Sequence, residues 1–583
     1  MKLLSSAGPT LRRFWVPVLL TIAMTTSLVL SADQPWEKRS EDMVRFAASI
    51  APGVLAAWCA ILFWERKAET QGHENSQLTA NLIGLAAAAL VSGLAYIGLA
   101  EFTHVSLGRH AALNLILFLG FFVIPNYGRE SSLEMYTVRL YSHAVVSGLF
   151  SAIMFFGLSA ITWTISSLFA LNIRAITYLR IWMYMAGVLA PFLFMAGIPV
   201  GTVRAEPDDY PKVLKNLVLS VLAPLLTAYT AILYVYFAKI LITRQWPVGL
   251  VAHLVLWYSL FTTALLLFVW PLASRNQWAQ AFSKYWIKAV LPLLLMMFVA
   301  IGIRINYYGI TENRYYVLVI GLWLLGTIAY LNLKKPEKRI FLPVSLAIVV
   351  ALSVVGPWSS FSVAKWSQER RLEGLLDKYG MIQNGAIVPS TVEIPYEDRR
   401  EMAEVLFYFS RYHDLSQISL LPEGFTMERF PEVFGFNYYD GAPGIPGLPT
   451  RYFGYAGTGG ALDISGYRYM FQFNEFDAGG GLVTSFQQDG LVVAYDRDTQ
   501  KVTVALDGTV EWEGSFVEHV KSLKPAERLD KSQFTQEDMT FTDESPNLSI
   551  KVVITDLSGS VNPNTGDTDI YRGQFYLLVG DRV

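Results

Sequence analysis

The chain has 583 residues, 53% of them hydrophobic and 14% aromatic, and carries a formal net charge of −2. This composition is too apolar for an ordinary soluble protein of such length. Before Phe361 there are 27 basic and 15 acidic residues, and from Phe361 onward there are 19 basic and 33 acidic residues. This division excludes two similar soluble domains and, for the acidic part, excludes nucleic acid as a partner.

Long apolar stretches follow one another through the first 357 residues. A helix needs about 20 apolar residues to cross a bilayer, and a charge at its centre costs about 2.5–3.5 kcal/mol. Eleven stretches meet this description: Phe14–Ser31, Phe46–Trp64, Ala80–Ala100, Ala111–Pro125, Ala144–Leu171, Ile181–Val203, Leu217–Ala238, Pro247–Ser274, Ala289–Ile303, Tyr315–Leu333 and Phe341–Trp358. Because the fourth stretch is short and the fifth is long, the sequence gives the number of spans only to within one. An even number would reverse the side on which the chain ends.

The N-terminal end and the charges between the stretches predict the orientation. The first stretch follows Lys2, Arg12 and Arg13 but ends in a poor cleavage site, so we expect an uncleaved anchor. With the N-terminus in the cytoplasm, the inner segments hold 17 basic residues and the outer segments ten. The positive-inside rule then places the C-terminal domain outside the cytoplasmic membrane. We expect a transmembrane domain over residues 1–357 and an extracytoplasmic domain over residues 358–583.

The C-terminal region combines helical and strand patterns. Apolar residues at helical spacing predict one helix from Val363 to a stop at Gly380, and a second over Glu397–Tyr412. Strand patterns separated by Asp-Gly turn signals cover Tyr467–Phe473, Leu482–Phe486, Leu491–Tyr495, Lys501–Leu506, Thr509–Trp512, Val552–Thr555 and Gln574–Val579. The predicted fold class is therefore a polytopic α-helical membrane protein of about eleven transmembrane helices with a C-terminal α+β domain containing an antiparallel sheet.

Between these helices and strands, Phe434–Gly466 is rich in glycine, proline and tyrosine. Its Gly454–Gly460 run lacks the lysine that a phosphate-binding P-loop requires. The segment is therefore either an ordinary long surface loop or a ligand loop that stacks on a sugar or a peptide.

Several runs of residues resemble one known family. They are Arg304-Ile-Asn-Tyr-Tyr-Gly309-Ile-Thr311-Glu312-Asn313-Arg314-Tyr315, Gly356-Pro357-Trp358-Ser-Ser-Phe361-Ser362-Val363, Arg371-Leu372-Glu373-Gly374-Leu375-Leu376, Arg139-Leu140-Tyr141 and Phe194-Met-Ala-Gly197-Ile198-Pro199. Together they resemble the bacterial multi-pass membrane family called domain of unknown function 4153. The resemblance implies a bacterial cytoplasmic-membrane protein with an extracytoplasmic tail, and it implies no reaction.

One cluster near the last spans is a candidate site. Its members are Arg304, Tyr308, Thr311, Glu312, Arg314 and Tyr315. In the predicted orientation their loop and the Gly356-Pro357-Trp358 exit share the outer face of the membrane. The charged residues either form an interfacial ion cluster that fixes two helix ends, or bind an anionic group or dock the C-terminal domain. We predict a docking surface, because two family-like segments converge there.

The sequence contains no recognisable catalytic, cofactor-binding or metal-binding constellation. The seven histidines include no pair at metal-ligand spacing. Ser362-Val-Ala-Lys365 matches a serine-enzyme motif but lacks the partner motifs of that class. Whether the chain is an enzyme stays open, and a non-enzymatic role is favoured.

Three functions remain from these observations. The first is an envelope sensor, binding or scaffold protein whose partners are membrane lipids and an envelope ligand or protein. The second is a transporter of an uncharged or lipidic solute, suggested by helix-breaking Pro191 and Pro224 in adjacent spans. The third is a lipid-linked glycosyltransferase-like enzyme that uses acidic residues of the first outer loop, Asp33, Glu37, Glu41 and Asp42.

Overall fold

The computed structural model describes the chain with gaps and divides it into two compact units. The described residues are 2–32, 41–71, 76–127, 133–169, 171, 173–201, 210–244, 250–334, 339–436, 451–456, 462–474, 483–496, 501–523, 535–561 and 568–582. The first unit comprises Met1–Gly374 and Val405–Ser419, and the second Leu375–Glu404 and Leu420–Val583. The division expected between residues 357 and 358 stays a prediction.

Helices make up the first unit. They are α1 Lys2–Ala32, α2 Glu41–Gln71, α3 Gln77–Gly98, α4 His104–Asn126, α5 Leu133–Leu168, α6 Ile176–Ala196, α7 Lys212–Thr243, α8 Leu250–Val269, α9 Gln277–Tyr308, α10 Glu312–Lys334 and α11 Phe341–Val354. Helices α12 Ser360–Lys378 and α13 Tyr396–Tyr412 follow, and each belongs to the first unit only in part. Within the described residues, ten of the helices are long and apolar enough to cross a membrane. The predicted polytopic helical body is therefore confirmed.

The eleventh expected span is the exception in length. Helix α11 has 14 residues, which at 1.5 Å per residue reach about 21 Å, less than the roughly 30 Å of a hydrocarbon core. It ends before Gly356, whose φ of +81° lies in the left-handed region, and before Pro357, which cannot continue a helix.

Both mid-span prolines sit beside a local change of helix type. A π-helical turn, Met185–Leu189, precedes Pro191 in α6, and another, Leu217–Leu222, precedes Pro224 in α7. Proline has no N–H to donate to the carbonyl four residues earlier, and in each helix that carbonyl lies inside the π turn. The π turn therefore accommodates the missing hydrogen bond, and the helix continues through the proline.

The outer faces of these helices are apolar. In α5, Leu149, Phe156 and Trp163 are exposed, whereas buried apolar side chains such as Phe14, Ile61 and Leu293 form one continuous core inside the unit. Exposed large apolar side chains are expected where lipid covers a helix, since a soluble protein seldom leaves so many in water. The chain is thus a multi-pass membrane protein.

Two antiparallel sheets dominate the second unit. The strands are β1 Ile382–Gln383, β2 Ala386–Ile387, β3 Arg451–Ala456, β4 Tyr469–Asn474, β5 Val483–Gln488, β6 Leu491–Asp496, β7 Lys501–Leu506, β8 Thr509–Gly514, β9 Thr540–Glu544, β10 Leu548–Val561 and β11 Thr568–Asp581. Strands β5 to β8 form a four-stranded meander, and β3-β10-β11-β4 form a second sheet in which β9 also pairs with β10. The predicted α+β domain with an antiparallel sheet is confirmed.

Turn chemistry sets the register of the meander. Asp489 and Gly490 have φ of +49° and +82°, and Asp507 and Gly508 have φ of +48° and +83°. Two consecutive positive φ angles define the tight hairpin turn whose twist matches that of its strands. The inward side chains that these turns align, such as Val493 and Val504, are fully buried.

The prediction of a loop over Phe434–Gly466 is wrong in part. Residues Arg451–Ala456 form strand β3, which pairs with β10. The glycine and aromatic residues of this segment do not alternate with polar residues, so the sequence predicts no strand there. Backbone hydrogen bonds to the long strand β10 stabilise it as a strand. Residues 437–450 and 457–461, with most of the proposed ligand loop, lie outside the described residues.

Candidate functional site

The predicted cluster lies where α9 ends and α10 begins. Arg304 and Tyr308 belong to the last turns of α9, and Glu312, Arg314 and Tyr315 to the first turn of α10. Gly309 ends α9 with φ +68° and ψ −176°, a conformation that is essentially restricted to glycine. The reversal between two spans therefore depends on this glycine.

Helix α12 holds the short linker between α9 and α10. The Ile310 N–H donates to Ser367 Oγ over 2.8 Å. The Gln368 amide nitrogen donates to the carbonyl oxygens of Tyr308 and Ile310, each over 3.0 Å. Gln368 is only 2% exposed, so these bonds are shielded from water and fix the linker backbone.

Glu312 stands at the centre of a buried polar cluster. The Tyr408 hydroxyl lies 2.8 and 2.7 Å from the two carboxylate oxygens of Glu312 and donates to them. His413 Nε2 lies 2.9 Å from Glu312 Oε1 and 3.0 Å from the Tyr408 hydroxyl. Glu312 is 7% exposed and the His413 side chain 3%. Each pair among Glu312, Tyr408 and His413 is therefore within hydrogen-bond distance, and we call the three residues the Glu312 cluster.

Burial explains the electrostatics of this cluster. Desolvation, and then the adjacent Glu312 carboxylate, raise the pKa of Tyr408 above its usual value, so the hydroxyl keeps its proton and remains a donor. The His413 ring donates a hydrogen bond to Glu312 when neutral and forms an ion pair with it when protonated. A buried carboxylate is costly without such donors, and here it has two.

Three of the other predicted residues form hydrogen bonds that involve the backbone at helix ends. Arg314 Nη1 donates to the carbonyl oxygens of Tyr308 and Gly309 over 2.8 and 2.7 Å, which caps the C-terminal end of α9 with a cation. The Tyr315 hydroxyl donates to the Trp358 carbonyl over 2.8 Å. The Thr311 carbonyl accepts a hydrogen bond from the Tyr315 N–H. These contacts fix helix ends.

Arg304 differs from these residues. Its Nε atom is buried and has no hydrogen-bond partner within the described residues. Among the six predicted residues, Glu312 forms side-chain hydrogen bonds with Tyr408 and His413. Both docking and anion binding at the six residues stay predictions.

Sequence reasoning missed Tyr408 and His413. They lie 96 and 101 residues after Glu312, and Tyr408 lies in the second half of α13, which belongs to the first unit. No local pattern links a tyrosine near a helix end to an acid that distant. Their positions at the end of a predicted helix were the only signal in the sequence. Many aromatic residues that serve only packing share such positions.

A second contact fixes the same segment. The Ser419 N–H and hydroxyl both donate to Glu369 Oε1, over 3.1 and 2.9 Å. The ring of Tyr412 meets His104 edge-on with centroids 5.0 Å apart. Residues Val405–Ser419 are thus attached to the helices of the first unit at three separate points.

Metal binding at the Glu312 cluster has weak support. A carboxylate and an imidazole supply two ligands, while structural metal sites use four. In the part of the chain that the structure describes, no three His, Cys, Asp or Glu side chains are grouped as metal ligands. Its three side chains lie within hydrogen-bond distance of one another, and this geometry suits a fixed contact between α10 and the Val405–Ser419 segment.

The helices of the first unit also line an open apolar cavity of about 430 Å³. Its walls include Phe118, Phe194, Leu260, Phe268 and Trp323. Phe194 follows the π turn and Pro191 in α6. A cavity of this size and lining suits an acyl chain or another hydrophobic molecule.

The acidic residues considered for sugar transfer are only partly described. Glu41 and Asp42 begin α2, where acidic groups favour the positive end of the helix dipole. Asp33 and Glu37 lie outside the described residues. The transferase hypothesis therefore gains no supporting contact from Glu41 or Asp42.

Comparisons with known proteins give a family and no function. A protein of Pasteurella multocida (strain Pm70), described only as uncharacterized, is 24% identical over 190 residues, which cover 32% of this chain and 32% of that protein. No solved structure matches the chain. The model of the family described as Domain of unknown function (DUF4153) matches residues 18–386, well over half of the sequence, from the middle of α1 to beyond the end of α12. The chain is therefore a member of the DUF4153 family of multi-pass membrane proteins.

Proposed function

We propose that the protein is a non-enzymatic sensor or scaffold of the bacterial cell envelope, in which the Glu312 cluster couples the C-terminal region to the membrane helices. The observation that supports this role most is the buried Glu312 carboxylate with its two donors, Tyr408 and His413. In this proposal the C-terminal domain faces away from the cytoplasm and binds an envelope ligand or partner protein.

The Glu312 cluster is suited to transmit a conformational change, because its hydrogen bonds favour one arrangement of the Val405–Ser419 segment against α10. Separating Tyr408 from Glu312 would leave a buried carboxylate with a missing donor, at a cost of about 1–3 kcal/mol. A difference of that size is comparable to typical coupling energies between distant sites. Helix α13 is continuous from Tyr396 to Tyr412, so a shift of its first turns would be carried along the helix to Tyr408.

Hydrogen exchange on the full-length protein in lipid nanodiscs tests the relay. We expect Tyr408→Phe to speed amide exchange in Val405–Ser419 and also in the earlier turns of α13. Tyr412→Phe is the matched control, because its ring meets His104 and no hydrogen bond of its hydroxyl is found within the described residues. Exchange that is unchanged in both variants, or changed equally, would remove the support for a relay.

A second candidate function is the binding or transport of a lipidic solute. The apolar cavity beside α6, with a volume of about 430 Å³, is the observation that favours it. We expect Ala264→Phe, which fills this cavity, to reduce the lipid retained on the purified protein, as counted by native mass spectrometry. Ala228→Phe, an exposed position on α7 outside the cavity lining, should leave retention unchanged. Equal retention in both variants would argue against this candidate.

A further inference from the structure

We infer that a cation-lined pocket at one end of helices α8, α9 and α10 binds a phosphate group. The pocket has a volume of about 430 Å³ and is lined by Lys284, Lys288, Arg339, Ser283, Asn332 and Gln280, among others. All of these residues belong to the first unit. The inference is independent of the proposed function, since it uses no residue of the Glu312 cluster.

The charge of the pocket is positive and only partly compensated. Lys284 and Lys288 are four residues apart in α9 and so lie on one face of the helix. Among the described residues, no carboxylate forms an ion pair with either lysine and no acidic residue lines the pocket. Two like charges this close repel each other, which an anion between them would relieve.

Arg339 supplies the third cation in a fixed position. Its Nη1 donates to Glu134 Oε1, and its guanidinium lies 4.2 Å from the centre of the Trp270 ring. These contacts neutralise one of the three positive charges and hold the guanidinium plane in place. A guanidinium fixed in this way presents its remaining N–H groups to a tetrahedral oxyanion without further ordering.

A neutral donor also lines the pocket. The Asn332 amide nitrogen donates to the Ile328 carbonyl over 2.9 Å, which leaves its second N–H for the same ligand.

The ligand chemistry follows from this donor set. Two ammonium groups, one guanidinium and an amide N–H are all donors, which selects an anion with several oxygens. Basic pockets between transmembrane helices at a membrane face are typical sites for the headgroups of anionic lipids. The phosphate therefore comes either from an anionic lipid headgroup or from free phosphate in solution, and both present the same oxyanion.

Binding measurements on the full-length protein distinguish the two sources. One arm titrates phosphatidylglycerol into detergent-solubilised protein and measures binding by native mass spectrometry. The other titrates inorganic phosphate into protein in phosphatidylcholine nanodiscs and measures heat by calorimetry. We expect saturable binding in at least one arm, and the arm that shows it identifies the source.

Paired variants test the residues. Lys284→Gln with Lys288→Gln should weaken binding by roughly tenfold or more, because each basic residue near a membrane surface contributes appreciably to anion affinity. Lys212→Gln with Lys215→Gln removes two exposed lysines of α7 that do not line the pocket, and should leave the affinity nearly unchanged. Equal loss in both pairs, equal affinity in both pairs, or no binding to the wild-type protein would overturn the inference.

Asn332→Leu covers the case in which the double lysine variant fails to fold. The Asn332 amide bonds only the Ile328 carbonyl of its own helix within the described residues, so the variant should fold as the wild type does. Its affinity for the phosphate group should fall by about tenfold, the effect of losing one hydrogen bond to a charged group. Unchanged affinity in this variant would show that the ligand does not occupy the pocket.

Discussion

Glu312 can remain buried because donors from a distant segment reach it. Replacing Tyr408 with phenylalanine removes the hydroxyl that lies 2.8 and 2.7 Å from its oxygens. We expect this variant to lose about 1–3 kcal/mol of stability, the usual cost of an unsatisfied buried polar group. Thermal unfolding in detergent measures the loss, and Tyr412→Phe should unfold as the wild type does. Equal melting temperatures for all three proteins would contradict the role of the hydrogen bond.

Asp398 in the second unit gives a prediction about pH. Burial alone raises the pKa of Asp398, but hydrogen bonds from Lys378 and Tyr379 outweigh it and hold the pKa below its usual value. A carboxyl whose folded pKa is lowered stabilises the fold above its unfolded pKa of about 3.9, and this contribution is lost as the pH falls through the folded pKa.

Asp398→Asn should therefore be slightly less stable than the wild type at pH 7, with a difference that shrinks as the solution is acidified below about pH 4. The effect is small because the Lys378 side chain is largely exposed to solvent. Urea denaturation followed by tryptophan fluorescence at several pH values measures it. Asp377→Asn, an exposed neighbour in α12, should show no such trend, and a pH-independent difference for Asp398→Asn would refute the assignment.

At the scale of elements, the reversal between α9 and α10 depends on Gly309. Its φ of +68° and ψ of −176° are reached readily only by glycine. A Cβ atom there would also lie 2.9 Å from Gln368 Nε2 and 3.1 Å from Ser367 Oγ. Alanine would thus strain the backbone and push α12 away from the linker that it holds.

We expect Gly309→Ala to lose about 1–3 kcal/mol of stability. Gly302→Ala in the same helix is the control, since no atom lies within 4 Å of a Cβ at that position and alanine favours a helix. Thermal unfolding of both variants makes the comparison. A Gly309→Ala protein as stable as the Gly302→Ala protein would show that the linker tolerates a side chain.

Some turns and helix ends are predicted correctly from a few adjacent residues. The Asp489-Gly490 and Asp507-Gly508 pairs predict tight hairpins, and both adopt the positive φ angles that such turns require. Gly380 ends α12 with φ +63°, as its position after the apolar residues of that helix indicates. Each of these features depends on a few adjacent residues, so the sequence contains all the information needed.

At the scale of the whole molecule, the orientation in the membrane stays a prediction from loop charges. It can be tested with single cysteines in a Cys59→Ala background, since Cys59 is the only native cysteine. Val510 is 59% exposed on β8, and Val213 is 84% exposed at the start of α7. We expect a membrane-impermeant maleimide to label Val510→Cys on intact cells and Val213→Cys only after permeabilisation. The opposite pattern would place the C-terminal domain in the cytoplasm.

The candidate site was predictable only in part. Glu312 was a candidate because it lies in a family-like segment with Arg304 and Arg314, next to a second such segment at Gly356-Pro357-Trp358. The sequence could not supply those partners, because Tyr408 and His413 reach Glu312 through the packing of α13 against the membrane helices. The pocket of Lys284, Lys288 and Arg339 was missed for the same reason, since three helix ends must meet to form it.

The sequence by itself determined the membrane helices, the change to an acidic α+β region, most strands and the hairpin turns. Hydropathy, side-chain periodicity and turn residues act over a few to about twenty positions, which is the length of these elements. Only the tertiary structure decided which distant side chains meet, from the Glu312 cluster to the pairing of β3 with β10. Those contacts depend on how whole helices and strands pack, and local pattern does not specify that packing.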